Sequence, residues 1–173
     1  MICLGILWNG MQEHLDDVMK DISLHGKVIK SFSMNLGYDY ETFVRDIYSQ
    51  DEIAEWKVDK KVETMFECSD IRSVTIVFID IETAEIQYHP YKKRKVFVSL
   101  ENMKTSIRTK YSQIVTHYFF DNVFHVTDNE VEYEADLKIV SEYYNRLNGQ
   151  NKGNMPKPNI KVRSNKVPNG TTE

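Results

Sequence analysis

Residues 73–81 read Ser-Val-Thr-Ile-Val-Phe-Ile-Asp-Ile, a run dense in β-branched and aromatic side chains. Such side chains suit a pleated, half-buried surface, and a run this short is a strand before it is a helix. Because it lies in the middle of the chain, the segments on both sides must be able to pair with it or cover it. The preceding half offers both. Residues 2–8 read as a buried strand that ends at the turn signal Asn9-Gly10. Leu15, Val18, Met19 and Ile22 then fall at helical spacing, and His25-Gly26 supplies a stop. Residues 27–36 alternate, with Val28, Ile29, Phe32, Met34 and Leu36 marking a second strand that ends at Gly37. Asp39 stands where it could cap a short helix through Tyr48, with Phe43, Val44 and Ile47 on its inner face.

The following half is less regular. Residues 51–66 read as a short helical or irregular piece, and a break falls at residues 82–85. Residues 86–99 hold His89-Pro90 and the basic run Lys92-Lys93-Arg94-Lys95, a solvated or an anion-facing loop, ahead of Val96-Phe97-Val98. Residues 100–110 suggest a helical turn and loop, residues 115–124 a strand, and residues 129–147 an amphipathic helix carrying Val131, Leu137, Ile139, Val140, Tyr143 and Leu147. The order predicts an α+β fold of ferredoxin-like, split βαβ type, an antiparallel sheet with helices on it.

With 173 residues, 41% of them hydrophobic, one domain is expected, over residues 1–147. From residue 148 onward the composition changes. Five basic residues face Glu173 alone, three of the four prolines are found there, and the segment carries a net +4 against −8 for the remainder. That composition predicts a flexible basic tail over residues 148–173. An acidic body makes nucleic acid a poor partner. Cys3 and Cys68 are far apart and in no metal-binding spacing, which suits two small packing residues in a reducing compartment. No stretch approaches the ~18 apolar residues of a membrane span, and residues 2–8 lack the basic start of a signal peptide, so a cytoplasmic protein is expected. Asn169-Gly170-Thr171 fits a glycosylation acceptor only for a secreted chain.

One stretch has the material for chemistry. Residues 119–130 pass from an apolar run through Asn122, His125, Thr127 and Asp128 into an acidic helix start. Thr127 and Asp128 are placed to cap that helix. His117 and His125, with Asp121 between them, match no zinc spacing, so no protein-bound metal is expected. There is no glycine-rich phosphate loop and no Gly-x-Ser-x-Gly elbow.

Lys104-Thr105-Ser106-Ile107-Arg108, followed by Asn122-Val123-Phe124-His125-Val126-Thr127-Asp128, resembles the nucleoside diphosphate kinase pattern, in which a threonine-isoleucine-arginine segment precedes Asn-x-x-His-x-Ser-Asp. The resemblance extends over most of residues 1–147. It implies phosphoryl transfer through a phosphorylated His125, oriented by an acidic side chain at the spacing of Asp136. It implies phosphate contacts from Arg108, Arg94, Asn122 and Tyr48, and a base stacked on Trp56, eight residues after Tyr48. Nucleoside di- and triphosphates as ligands, Mg²⁺ carried in with the nucleotide, and a homo-oligomer are further implications. Glu132 is a second candidate acceptor for the histidine. The chemistry is physically sound, since a neutral imidazole fixed through one nitrogen is a nucleophile near pH 7, and guanidinium forks match phosphoryl oxygens.

The chain also departs from the pattern. Where the family opens on a lysine-bearing turn, Leu7-Trp8-Asn9-Gly10 has none; the gap between Arg108 and His125 is longer, and Arg94 alone stands in for a further arginine. An alternative is therefore a nucleotide-sensing or protein-interaction module of the same fold without catalysis.

Overall fold

The computed structural model describes residues 1–149 and 154–159. Strand β1 (Ile2–Leu7) leads through a 3-10 turn, Asn9–His14, into helix α1 (Leu15–Ser23) and then strand β2 (Lys27–Asn35). Helices α2 (Tyr40–Tyr48) and α3 (Glu55–Cys68) precede β3 (Ser73–Asp80). A hairpin of β4 (Ile86–His89) and β5 (Arg94–Phe97) runs directly into α4 (Val98–Tyr111), and β6 (Phe124–Val126) and α5 (Glu130–Asn148) follow.

The main sheet has the order β2-β3-β1-β6, and every pairing in it is antiparallel. With α1 between β1 and β2, and α4 between β3 and β6, this is the ferredoxin-like arrangement that the element order predicts; α2 and α3 are added ahead of β3. β3 is flanked on both sides, so the run that reads most clearly as a strand is a central one. Alternation along the strands divides the interior into two cores. Leu4, Ile6, Val74, Ile76 and Phe78 face α2, α3 and α5. Cys3, Leu7, Val77 and Ile79 face α1 and α4. Where α1 hands over to β2, a Cβ on Gly26 would stand 2.7 Å from Ile81 Cδ1 and 3.0 Å from the Asp80 carbonyl oxygen, so any larger residue forces its neighbours to shift.

Several expectations are corrected. Residues 115–124 do not form a strand: His117, Phe120 and Asp121 have φ of 55°, 42° and 60°, and pairing begins only at Phe124. Strand propensity reflects packing on a sheet, and β1 gives this segment only Gly5, Ile6 and Leu7 to pair with. Residues 55–68 form a full helix rather than a short or irregular piece, and α4 is likewise complete. Asp39 makes no side-chain cap. At α5 the cap is Asn129, whose Oδ1 accepts from Glu132 N at 3.0 Å, while Glu132 Oε2 accepts from Asp128 N at 2.7 Å. Thr127 instead accepts from Leu4 N, and Asp128 enters ion pairs.

Among the described residues no helix is long and apolar enough to cross a membrane. Met155 is buried against the core beside α5, with its sulfur 3.5 Å from Ser141 Oγ. The remaining part of the expected tail and the Asn169-Gly170-Thr171 pattern lie outside the described residues.

Candidate functional site

His125 occupies the middle of β6, and alternation decides where it points. Phe124 and Val126 belong to the core under α1 and α4, so the imidazole faces the other side of the sheet, in register with Ile6. There its Nε2 lies 2.7 Å from Asp136 Oδ2, which projects from the second turn of α5 and is only 3% exposed. A carboxylate at that distance accepts the Nε2 proton and fixes the tautomer, which leaves Nδ1 with its lone pair. Tyr48 packs edge-on against the ring, with centroids 5.5 Å apart and planes at 82°. Burial pushes the Tyr48 phenol far above its ordinary range, so it stays protonated beside the histidine.

The histidine opens onto a cleft of about 510 Å³. Its walls come from the end of α2 and the following link (Tyr48, Asp51), from α3 (Lys61), from the hairpin turn (Tyr91, Lys92, Arg94), from α4 (Lys104, Arg108) and from the segment ahead of β6 (Phe120, Asp121). Most of its cations are already paired. Arg94 bonds Glu132 and Asp128; Lys92 bonds Glu101 and Asp128; Lys104 contacts the same two carboxylates. Arg108 donates to the Phe124 carbonyl through Nε and Nη2, each at 3.2 Å, and its Nη1 meets Asp121 Oδ2 at 3.1 Å. Lys61 differs. It is 2% exposed, and among the described residues no carboxylate lies within ion-pair distance of its amine. Burial pushes that amine down to about 7, against the pull of Asp121. Across the cleft, Asp51 has its carboxyl raised, by burial first, although His125 draws it the other way.

The residues named from sequence separate into two groups. His125, Tyr48, Arg94 and Arg108 line one cleft, with Asp136 behind the histidine, and Asp136 rather than Glu132 is the acceptor. Glu132 is occupied with the α5 cap and Arg94. Asn122 and Trp56 stand apart. Asn122 is buried, its Nδ2 donating to Thr64 Oγ1 and the His117 carbonyl, so it ties α3 to the segment ahead of β6 rather than lining the cleft. Trp56 is 61% exposed on the first turn of α3 and does not line the cleft, whose aromatic side chains are Tyr48, Tyr91 and Phe120. Sequence reasoning missed Lys61, although its signal was present: once residues 55–68 are read as a helix, Lys61 falls with Val58, Val62 and Met65 on the inner face. The first turn is closed, since Asn9 is buried and donates from Nδ2 to the carbonyls of Met65 and Ser69. A second hollow, of about 400 Å³ between Tyr38, Tyr40, Glu41, Phe66 and Arg72, is mainly apolar and is lined by no His, Cys, Ser or Thr.

Among the described residues no three His, Cys, Asp or Glu side chains converge as a metal site. A hard cation such as Mg²⁺ fits only if substrate oxygens supply most of its ligands, with Asp51 and Glu52 as cleft carboxylates that lack an ion-pair partner among the described residues.

No protein-family model and no curated protein matches the sequence. Among solved structures, a transition state mimic of nucleoside-diphosphate kinase from Borrelia burgdorferi, with bound vanadate and ADP, is similar over 80% of this chain and 85% of that chain. The identity is 17% and the TM-score 0.45, a likeness too loose to transfer the role of any residue.

Proposed function

We propose that this protein binds nucleoside di- and triphosphates in the His125 cleft and transfers a phosphoryl group through His125. The observation that carries the reading is the part-buried His125–Asp136 pair at 2.7 Å, whose free ring nitrogen belongs to a residue lining a cleft that also holds Arg108 and Lys61. In the first half-reaction Nδ1 attacks the terminal phosphorus, the N–P bond forms, the P–O bond to the β-phosphate breaks, and the diphosphate leaves with the electron pair. No proton moves at Nδ1, because the ring proton is on Nε2, where Asp136 balances the positive charge that develops on the imidazole. Mg²⁺ brought in with the nucleotide would neutralise phosphate charge, and Asp51 and Glu52 are the unpaired cleft carboxylates that would hold it. A second nucleoside diphosphate then takes the phosphoryl group by the reverse step.

Incubation with [γ-³²P]ATP and Mg²⁺ tests this. Acid-labile, base-stable label is expected on wild type and absent from His125→Gln; wild type without such label overturns transfer. One observation favours a second reading, nucleotide binding without transfer: Arg94, Lys92, Lys104 and Arg108 are already committed to carboxylates or a carbonyl. A rise in melting temperature with ADP but no label on His125 would select it.

A further inference from the structure

Every other cation at this cleft has an acidic partner, and Lys61 has aromatic ones. Its amine stands 4.1 Å from the Tyr48 ring centroid and 5.4 Å from that of Phe120. The titratable and charged groups that face it come from every wall: Asp51 from the α2–α3 link, Asp121 from the segment ahead of β6, Arg108 from α4, and His125 from β6 beyond Tyr48. None of them neutralises it. Asp121 is held by Arg108 Nη1 at 3.1 Å and the Tyr118 hydroxyl at 2.8 Å; the raised Asp51 carboxyl, which burial disfavours as an anion, stands outside ion-pair distance. A buried amine without an anion is costly for a fold and is found where function requires it. Lys61 also lines the cleft, so the anion it lacks has a route to it.

We propose that the Lys61 amine is the anion-receiving group of this cleft: it binds an oxygen of a terminal phosphoryl group and takes up a proton from solvent as it does so. In the empty cleft, burial disfavours the ammonium and outweighs the cation–π attraction of the Tyr48 and Phe120 faces; an incoming phosphoryl oxygen supplies the missing counter-charge and restores it. The protonated amine then donates to the oxygen, and its charge opposes the one carried in. The inference rests on the reading that the cleft takes a phosphoryl ligand, and it is independent of transfer to His125. A purely structural Lys61, propping the Phe120 segment by cation–π contact, would leave binding and proton balance untouched.

Isothermal titration calorimetry at pH 8, in two buffers of different ionisation enthalpy, reads both quantities. ADP and tripolyphosphate are the probes; at that pH the terminal phosphate of ADP has shed its second proton (pKa about 6), and the proton still held by part of the tripolyphosphate is counted by titrating the free ligand and subtracted. Wild type is expected to take up roughly half to one proton per ligand bound. His125→Gln should keep that uptake, which separates Lys61 from the imidazole. Lys61→Met should melt no lower than wild type, bind about tenfold or more weakly, and take up no proton. Lys61→Arg, always charged, should recover part of the affinity without the uptake. If Lys61→Met binds ADP as wild type does, with the same proton count, the inference falls while the nucleotide reading stands. Lys61-dependent uptake with tripolyphosphate but no binding of ADP upholds the inference and defeats the nucleotide reading. Wild type that binds neither probe at millimolar concentration overturns both.

Discussion

At the level of single residues, His125 and Asp136 act as one unit, because the carboxylate decides which ring nitrogen keeps its lone pair. Asp136→Asn preserves the shape but can donate to Nε2 as readily as accept from it, so the wrong tautomer becomes available. Phosphorylation of His125 should slow by about a hundredfold, with ADP affinity little changed. Single-turnover labelling together with a binding isotherm checks this, and equal loss in both would assign Asp136 to binding. Lys61 predicts a pH effect whose sign is fixed. Its folded-state value is about 7, against an ordinary 10.5 in the unfolded chain. Between these values the unfolded chain holds a proton that the folded chain does not, so this lysine makes stability rise with pH. Below about pH 7 both states are charged and the burial penalty is present in full. Relative to wild type, Lys61→Met should therefore gain most below pH 7, and its advantage should shrink by up to about 1.4 kcal/mol per pH unit towards pH 10. Urea unfolding of both proteins at pH 6 and pH 9.5 measures the difference; a gap that widens with pH would contradict the burial of an uncompensated amine.

At the level of elements, the cap of α5 links stability to the site. Asn129 Oδ1 and Glu132 Oε2 satisfy two amides at the helix start, and Glu132 Oε1 also accepts from Arg94 at 3.1 Å. The same helix carries Asp136 to His125. Asn129→Ala should cost about 1 kcal/mol. For a chain of this size that lowers the melting temperature by about 2–4 °C, which calorimetry resolves. Gly26→Ala should cost more, about 2–3 kcal/mol, because the new methyl group meets the Asp80 carbonyl as well as side chains that could shift. Elements whose pattern was local were legible in the sequence: β1, α1, β2, α2, β3 and α5 all follow from spacing and stops. α3 was obscured because Lys61, which lines the cleft, interrupts its apolar face. Residues 115–123 misled because Val115 and Val123 are buried while Tyr118 and Phe120 turn outward, so an apolar run there records turn geometry and a cleft wall rather than a strand. Within the cleft, His125 stood out as a histidine at the end of an apolar run, while Asp136, Arg108 and Tyr48 were named only through the family resemblance; Asn122 and Trp56, named the same way, lie elsewhere, because lining the cleft depends on which way a side chain leaves its element.

At the level of the whole molecule, the two cores meet at a single sheet, and the site lies at one end of the core that α2, α3 and α5 cover. Phe78 faces that core and Ile79, its neighbour on β3, faces the core beneath α1 and α4. A strand shared in this way prevents either layer from melting alone, since losing one helical layer exposes the face of β3 that the other still needs ordered. Phe78→Ala should cost about 3–5 kcal/mol and Ile79→Ala about 2–5 kcal/mol, each leaving a cavity in a fully buried site. Despite acting on opposite faces, both should shift one and the same transition. In a Trp56→Phe background, Trp8, fully buried in the first core, reports on it by fluorescence, whereas far-ultraviolet circular dichroism averages over helices on both faces. In urea the two signals should stay superimposable for wild type and for both variants. If the fluorescence midpoint of Phe78→Ala fell below its dichroism midpoint, the layers would be separable, and the His125–Asp136 pair would be open to local unfolding of α5 without loss of the sheet.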